Sequence, residues 1–447
     1  AMIHEARLPV GSASRRCAAT EVIVRATGYH ARWQSTHVKR PGDDMDRRAF
    51  SQLLTLGAAS LTVGREQVGA VATGEDAEAT EAGPVDVPEE GSTAAVAVND
   101  FVELARAKLP RATFEYITSG SEDEVTLRDN VEAFRRIRVL PPLLHGVDEA
   151  DLSTTILGEK ISMPVMLAPV AVLRMAHPDG ALASARAAAA AGTIHVAGTS
   201  AGHSLEEIAA ASDGPKWLQL YVPADREIAR RLVTRAEQAG YRALVVTVDL
   251  GERKDADLRN QFAPPKEMLL KQLRDIGFTQ LTDQQTYEEI LAFNASAWRI
   301  SLDREFFEWL RGATRLPILI KGVLSPQAAR QAIELGLDGL VVSNHGGRRL
   351  DGMPATIDVL ESVVEAVDGQ LEILMDGGIR RGGDALKAIA RGAKAVLIGR
   401  PQAWALAAGG EAGVSTALQI LRDELTNAMI SCGCKTVEEV DSSLLMS

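Results

Sequence analysis

Two glycine-rich stretches stand beside arginines in the last quarter of the chain. One is Asp376-Gly377-Gly378-Ile379-Arg380-Arg381-Gly382-Gly383-Asp384, leading into a helix predicted from about Ala385, and the other is Gly399-Arg400-Pro401. Glycine lets backbone N–H groups come close to an anion, a helix N-terminus adds a favourable dipole, and Arg380 and Arg400 supply charge. The pattern predicts a phosphorylated ligand; the bland alternative is a pair of glycine turns with solvated arginines. Neither a G-x-G-x-x-G fingerprint nor a P-loop is present. Further polar groups close short apolar runs: Gln219-Leu220-Tyr221, Thr247-Val248-Asp249, Lys321, and Ser343-Asn344-His345-Gly346-Gly347-Arg348. Apolar runs ending in ionisable groups are what the rim of an active site requires.

The elements that must carry these groups recur regularly. Eight β-type runs alternate with Ala/Leu/Arg-rich stretches of helical period: Met163–Pro169, Thr193–Ala197, Lys216–Val222, Ala243–Val248, Pro317–Ile320, Gly339–Ser343, Leu371–Met375 and Ala393–Ile398. Most begin 22 to 32 residues apart, one strand plus one helix plus two turns, but the fourth-to-fifth interval exceeds 70. The predicted class is α/β, a (β/α)8 TIM barrel with an N-terminal helical extension and a lid inserted after strand four at about residues 252–299. A doubly wound sheet would give the same alternation. In a barrel the polar residues fall at the C-terminal strand ends and the phosphate site follows strands seven and eight, as the motifs require.

Composition narrows the class. With 447 residues, 46% apolar and 24% charged, most of the chain should fold as an ordinary globular protein. Forty-eight basic against 60 acidic side chains, net −12, argue against a surface built to hold nucleic acid. Three cysteines (Cys17, Cys432, Cys434) make no disulfide framework, and no metal site is predicted from them.

Ahead of the barrel, Asp46-Arg47-Arg48-Ala49-Phe50, a modest apolar run from Leu53 to Val63 and the small residues Ala70-Val71-Ala72 resemble a twin-arginine export signal over residues 45–72. The apolar stretch is too short to span a membrane. A chance arginine pair before a short helix is the alternative. Residues 1–44 form an extension of unknown role, and residues 73–97 read as a disordered acidic linker, with seven acids and no bases from Thr73 to Ser92.

The words SNHGGR and DGGIRRGGD, with TVD, QLY, LPILIKGV and IGRP at other strand ends, resemble the FMN-dependent 2-hydroxy acid oxidase and dehydrogenase family, which includes glycolate oxidase, lactate oxidase and mandelate dehydrogenase. The likeness covers roughly Asn99 to the C-terminus, with LPRATFEYITSGSEDE before the barrel and MLAPVAVLRMAHPDG at strand one. It implies FMN, in agreement with the phosphate site read from the residues, and oxidation of an (S)-2-hydroxy acid to the 2-oxo acid with hydride passing to flavin N5.

By that resemblance His345 is the base and Asp249 its partner, a role suited to an imidazole titrating near neutrality beside a carboxylate. Arg348, Tyr116 and Tyr221 are implied to hold the substrate's carboxylate and hydroxyl. Lys321 is implied to place a fixed charge by the flavin N1 and O2 edge. Gln219, Thr247, Ser343 and Gly198, with the backbone of Ala168, Pro169, Val170 and Ala171, are implied to contact the ring, and Asp376, Gly377, Gly378, Arg380, Gly399 and Arg400 to surround the remainder of the cofactor.

Departures from the family occur in two places. Leu250–Asp257 is about two residues shorter than the family's loop, and Lys254, beside Arg253, falls where a second active-site arginine is expected; a lysine offers a point charge in place of a fork. Ser200 replaces a bulky tryptophan of glycolate oxidase, so a wider pocket is expected. The acceptor that reoxidises the flavin is open among oxygen, a quinone and a cytochrome, and the resemblance implies a homotetramer. A flavin-dependent isomerase and a silent flavin-binding protein are the rival readings.

Overall fold

The computed structural model describes residues 95–250, 259 and 262–446. Residues 1–94, with the extension and the export signal, and residues 251–258, with Arg253 and Lys254, lie outside the described residues.

A short antiparallel hairpin, β1 (Thr154–Ile156) and β2 (Glu159–Ile161), precedes eight strands that close into a parallel barrel. These are β3 (Val165–Leu167), β4 (His195–Gly198), β5 (Lys216–Leu220), β6 (Leu244–Thr247), β7 (Ile318–Val323), β8 (Gly339–Val342), β9 (Glu372–Asp376) and β10 (Ala395–Ile398), each paired with its sequence neighbours and β10 with β3. They coincide with the eight predicted runs. Helices cover one face of each strand and the barrel interior covers the other, so the strands are apolar almost throughout instead of alternating. Met166, Val196, Trp217, Val245, Leu319, Val341, Leu374 and Leu397 fill that interior, and Ile156 and Ile161 of the hairpin join the same buried cluster. Sequence patterning did not reveal this hairpin: strands of three residues show no period.

The predicted N-terminal helices are α1 (Asp100–Lys108), α2 (Arg111–Thr118) and α3 (Val125–Arg136), with Phe101, Phe114 and Phe134 buried against the barrel's helical layer. The folded part starts earlier than the predicted linker end. Ala95 and Ala97 are only 8% and 7% exposed, and the Asp100 carboxylate accepts from the amides of Val96 and Ala97 at 2.9 and 2.8 Å. Ala95 and Ala97 are small and apolar enough to pack.

The outer layer comprises α4 (Gly180–Ala190), α5 (Leu205–Ala210) and α6 (Arg226–Gln238), followed by the insertion helices α7 (Lys266–Ile276) and α8 (Tyr287–Ser296). Then come α9 (Arg304–Ala313), α10 (Pro326–Glu334), α11 (Thr356–Val367), α12 (Gly382–Ala390) and α13 (Arg400–Ser431). From residue 262 onward the insertion is a packed helical layer, burying Leu269, Leu273, Ile276 and Ile290. No helix among the described residues is long and apolar enough to cross a membrane.

Candidate active site

The C-terminal ends of the strands open into a cavity of about 690 Å³. Its lining brings together Tyr116, the backbone segment Ala168–Ala171, Ser200, Tyr221, Lys321, His345, Arg348, Asp376, Gly377, Gly378, Arg380, Gly399 and Arg400. A smaller recess beneath it adds Gly198, Gln219 and Thr247. Ser343 is fully buried just behind this wall.

At the centre, His345 Nδ1 lies 3.0 Å from Asp249 Oδ1. A carboxylate only accepts, so Nδ1 carries the proton and Nε2 keeps its lone pair. The phenol of Tyr221 is 3.4 Å from that Nε2. His345 adopts a left-handed backbone, φ 57°, stabilised in part by its own N–H donating to Ser343 Oγ at 3.1 Å. Such a conformation is costly for a residue with a side chain, and it turns the imidazole off the strand axis into the cavity. Burial pulls the His345 imidazole down to about 4, with Arg349 and Lys321 acting in the same sense and Asp249 opposing. Burial would raise Asp249, yet His345, Lys321 and Arg349 outweigh it and hold the carboxyl at about 2. At neutral pH the pair is a carboxylate and a neutral imidazole, the resting state of a base.

Lys321, 4% exposed, sits 2.9 Å from Ser343 Oγ and 3.0 Å from Asp376 Oδ2, while Ser343 donates to Asp376 Oδ1 at 2.6 Å. Burial would lower this lysine, but Asp376 and Asp249 raise it, so it stays a cation inside the protein. Gln219 donates to Thr247 Oγ1 at 2.9 Å and accepts from the Thr199 amide at 3.2 Å, which fixes the orientation of its amide.

At the far end, Arg348, Arg380 and Arg400 gather around the glycine loops. Burial, with Arg348 and Arg380 as neighbours, pushes Arg400 well below the usual arginine range; burial takes Arg380 down to about 10. Such crowding of cations away from water is relieved by an anion. Two details differ from the sequence expectation. Helix α12 begins at Gly382, and the amides leading into it are taken internally: those of Arg380 and Arg381 by Asp384 at 2.9 and 3.0 Å, that of Gly382, the first helical residue, by Glu424 at 2.8 Å. The helix end that lines the cavity belongs to α13, at Gly399, Arg400 and Pro401. Arg400 itself donates to the carbonyls of Thr118, Ser119 and Gly346 at 3.1, 2.9 and 2.8 Å, so it clamps the end of α2 to the loop after β8 and offers the cavity its charge.

Arg348 likewise turns toward α2, with Nη1 donating to the Tyr116 carbonyl at 2.7 Å and its guanidinium 4.9 Å from the Tyr116 ring centre. Tyr116 stacks on Phe262 at 4.0 Å. Arg349, which sequence reasoning passed over, reaches Tyr221 instead. Its signal was present: a second guanidinium beside Arg348 at a strand end. Phe262 and Trp298 of the insertion, also unforeseen, wall the cavity. The N-terminal helices are pinned over it by reciprocal amide bonds of Asn130 and Asn344 at 2.9 and 2.8 Å and by Asp351, which caps the amides of Val125 and Thr126 at 3.0 and 2.8 Å.

A parallel barrel whose rim joins a carboxylate–imidazole base to a buried lysine and an arginine-lined anion pocket defines an enzyme that works on a phosphorylated cofactor. A match to the FMN-dependent dehydrogenase family covers residues 105–447. Human 2-hydroxyacid oxidase 1 is 44% identical over 356 residues, 78% of this chain and 96% of that protein. Glycolate oxidase 3 of Arabidopsis thaliana is 45% identical over 346 residues, 77% and 94% of the two chains. Among solved structures, mandelate oxidase is 40% identical with TM-score 0.71, over 79% of this chain and 98% of its own. An active chimera of (S)-mandelate dehydrogenase is 35% identical with TM-score 0.73, over 78% and 99%. The chain belongs to the FMN-dependent dehydrogenase family, and it is an FMN-dependent oxidoreductase.

The residues fit FMN on their own chemistry. Arg380, the charge of Arg400 and the N-terminus of α13 suit the phosphate. The segment Ala168–Ala171, with its small apolar side chains, lines the cavity where a ring system would lie, and Lys321, Gln219 and Thr247 supply polar groups that would meet its edges.

Proposed function

We propose that this protein oxidises an (S)-2-hydroxy acid to the 2-oxo acid, with His345 as the base. The observation that carries the reading is the oriented pair Asp249–His345, with an unprotonated Nε2 at the cavity wall beside Tyr221. Tyr116, Tyr221 and Arg348 hold the carboxylate and hydroxyl so that the hydroxyl proton meets Nε2. The hydroxyl proton passes to His345 as the α-hydrogen leaves with its electron pair, and the imidazolium so formed is stabilised by Asp249. Bound FMN supplies the hydride acceptor at N5. Lys321 keeps a fixed positive charge in the cavity wall, which would stabilise the negative charge of the reduced cofactor. The intact pair supports a catalytic reading over a silent flavoprotein.

Ser200 puts a short side chain in the cavity wall, which supports a bulkier substrate than glycolate. The test is anaerobic mixing of FMN-loaded protein with a panel from glycolate through lactate to mandelate. Loss of flavin absorbance with the (S) acids is expected; no bleaching by any member would refute the reading. Repetition in air with peroxide detection separates oxygen from a quinone or cytochrome as acceptor. Export by the Arg47-Arg48 signal and homotetrameric assembly complete the proposal, supported by the sequence pattern and by exposed Leu143 and Leu144 beyond α3. A reporter fused to residues 45–97 and sedimentation of the purified enzyme test them.

A further inference from the structure

Arg348 and Arg349 are adjacent, yet they face different partners. While Arg348 is drawn to the carbonyls at the end of α2, Arg349 Nη2 lies 2.9 Å from the Tyr221 phenol oxygen. A guanidinium carries only donors, so that oxygen accepts and its own proton must point elsewhere. His345 Nε2 is 3.4 Å from the same oxygen, and because Nδ1 donates to Asp249, Nε2 is the acceptor. The run Arg349, Tyr221, His345, Asp249 therefore has one consistent direction of donation. It aims the Tyr221 proton at the place where a substrate oxygen must stand to meet Nε2. Arg349 lines the same cavity as Tyr116, Ser200 and Arg348.

We propose that Arg349 is a substrate-positioning residue: it orients the Tyr221 hydroxyl and supplies the second guanidinium that holds the substrate carboxylate, from the loop after β8 instead of the loop after β6. The proposal rests on the 2-hydroxy acid reading above. Arg348 has Nη1 committed to the backbone, so a second fork beside it gives the carboxylate two directions of approach for its two oxygens.

The test compares FMN-loaded wild type with Arg349→Gln and Arg349→Lys, all checked for full flavin content. Two quantities are read: the dissociation constants of pyruvate and benzoylformate, carboxylate probes with no α-hydrogen to give up, followed through the flavin spectrum, and the apparent affinity and limiting rate of flavin reduction by the best acid of the panel. Arg349→Gln should weaken probe binding and substrate affinity about tenfold or more while the limiting rate falls less. Arg349→Lys should recover part of the loss, and preference for the acid over its amide should shrink in Arg349→Gln. Wild-type probe affinity in Arg349→Gln, or equal losses for acid and amide, would overturn the proposal. If wild type were reduced by no 2-hydroxy acid, the substrate reading would fall, while the probe constants would still decide whether Arg349 holds a carboxylate.

Discussion

Gly322 stands directly behind Asp249. A Cβ on Gly322 would lie 2.7 Å from Asp249 Cβ and 2.8 Å from its Cγ, and the glycine has φ +118°, where side chains are strained. The β7–β8 register shifts between Lys321 and Val323, around this residue. One irregular position thus makes room for the carboxylate that orients His345.

Gly322→Ala should therefore fold and keep FMN but displace Asp249. Because an error near 1 Å in a positioned group costs up to about a hundredfold in rate, flavin reduction is expected to slow at least about tenfold in stopped-flow mixing. An unchanged rate would show that the close packing does not set the geometry of the pair.

Asp249→Asn replaces an acceptor by a group that also donates, and the tautomer of His345 is then no longer fixed. A loss on the order of 10²–10⁴ in the reduction rate is expected, with binding of the 2-oxo acid far less affected. Loss of binding with the rate preserved would place Asp249 in substrate recognition instead.

The pH dependence follows from the depressed imidazole. The active form is neutral His345, which prevails above about 4, where an ordinary histidine would prevail only above 6.5. kcat/KM should be level from pH 6 upward and fall as pH drops toward that range. Since Arg349 and Lys321 disfavour the imidazolium, Arg349→Gln should move the acid limb to higher pH. Stability carries the same sign: with the folded value below the unfolded one, the contribution is present above 6.5 and is lost as pH falls toward about 4. Rate profiles and thermal midpoints against pH check both.

Arg380 packs 5.0 Å from the Trp404 ring centre at the anion end of the cavity. Arg380→Met should weaken FMN by about tenfold to a hundredfold and leave riboflavin, which lacks the phosphate, nearly unchanged. Titration by flavin fluorescence measures both, and equal losses would move the phosphate away from this residue.

Much of this architecture is legible in the sequence. Strands such as Leu244–Thr247 and Ala395–Ile398 are buried on both faces, so they read as unbroken apolar runs, and the polar groups that follow them fall at one rim by the geometry of the barrel. What escaped depends on contacts distant in sequence. Nothing in Arg348-Arg349 says which guanidinium turns to α2 and which to Tyr221. The acceptors of Arg400 are carbonyls at Thr118 and Ser119, on a helix whose position only tertiary packing sets. The amides at the start of α12 look available in the sequence, but Asp384 and Glu424 take those of Arg381 and Gly382.

The central claim is that Nε2 of His345 takes the hydroxyl proton. Anaerobic stopped-flow reduction of FMN-loaded His345→Ala by an (S)-2-hydroxy acid tests it most directly. Flavin content and 2-oxo acid affinity should stay near wild type while the reduction rate falls at least about a thousandfold. Bleaching at the wild-type rate in that variant would contradict the account.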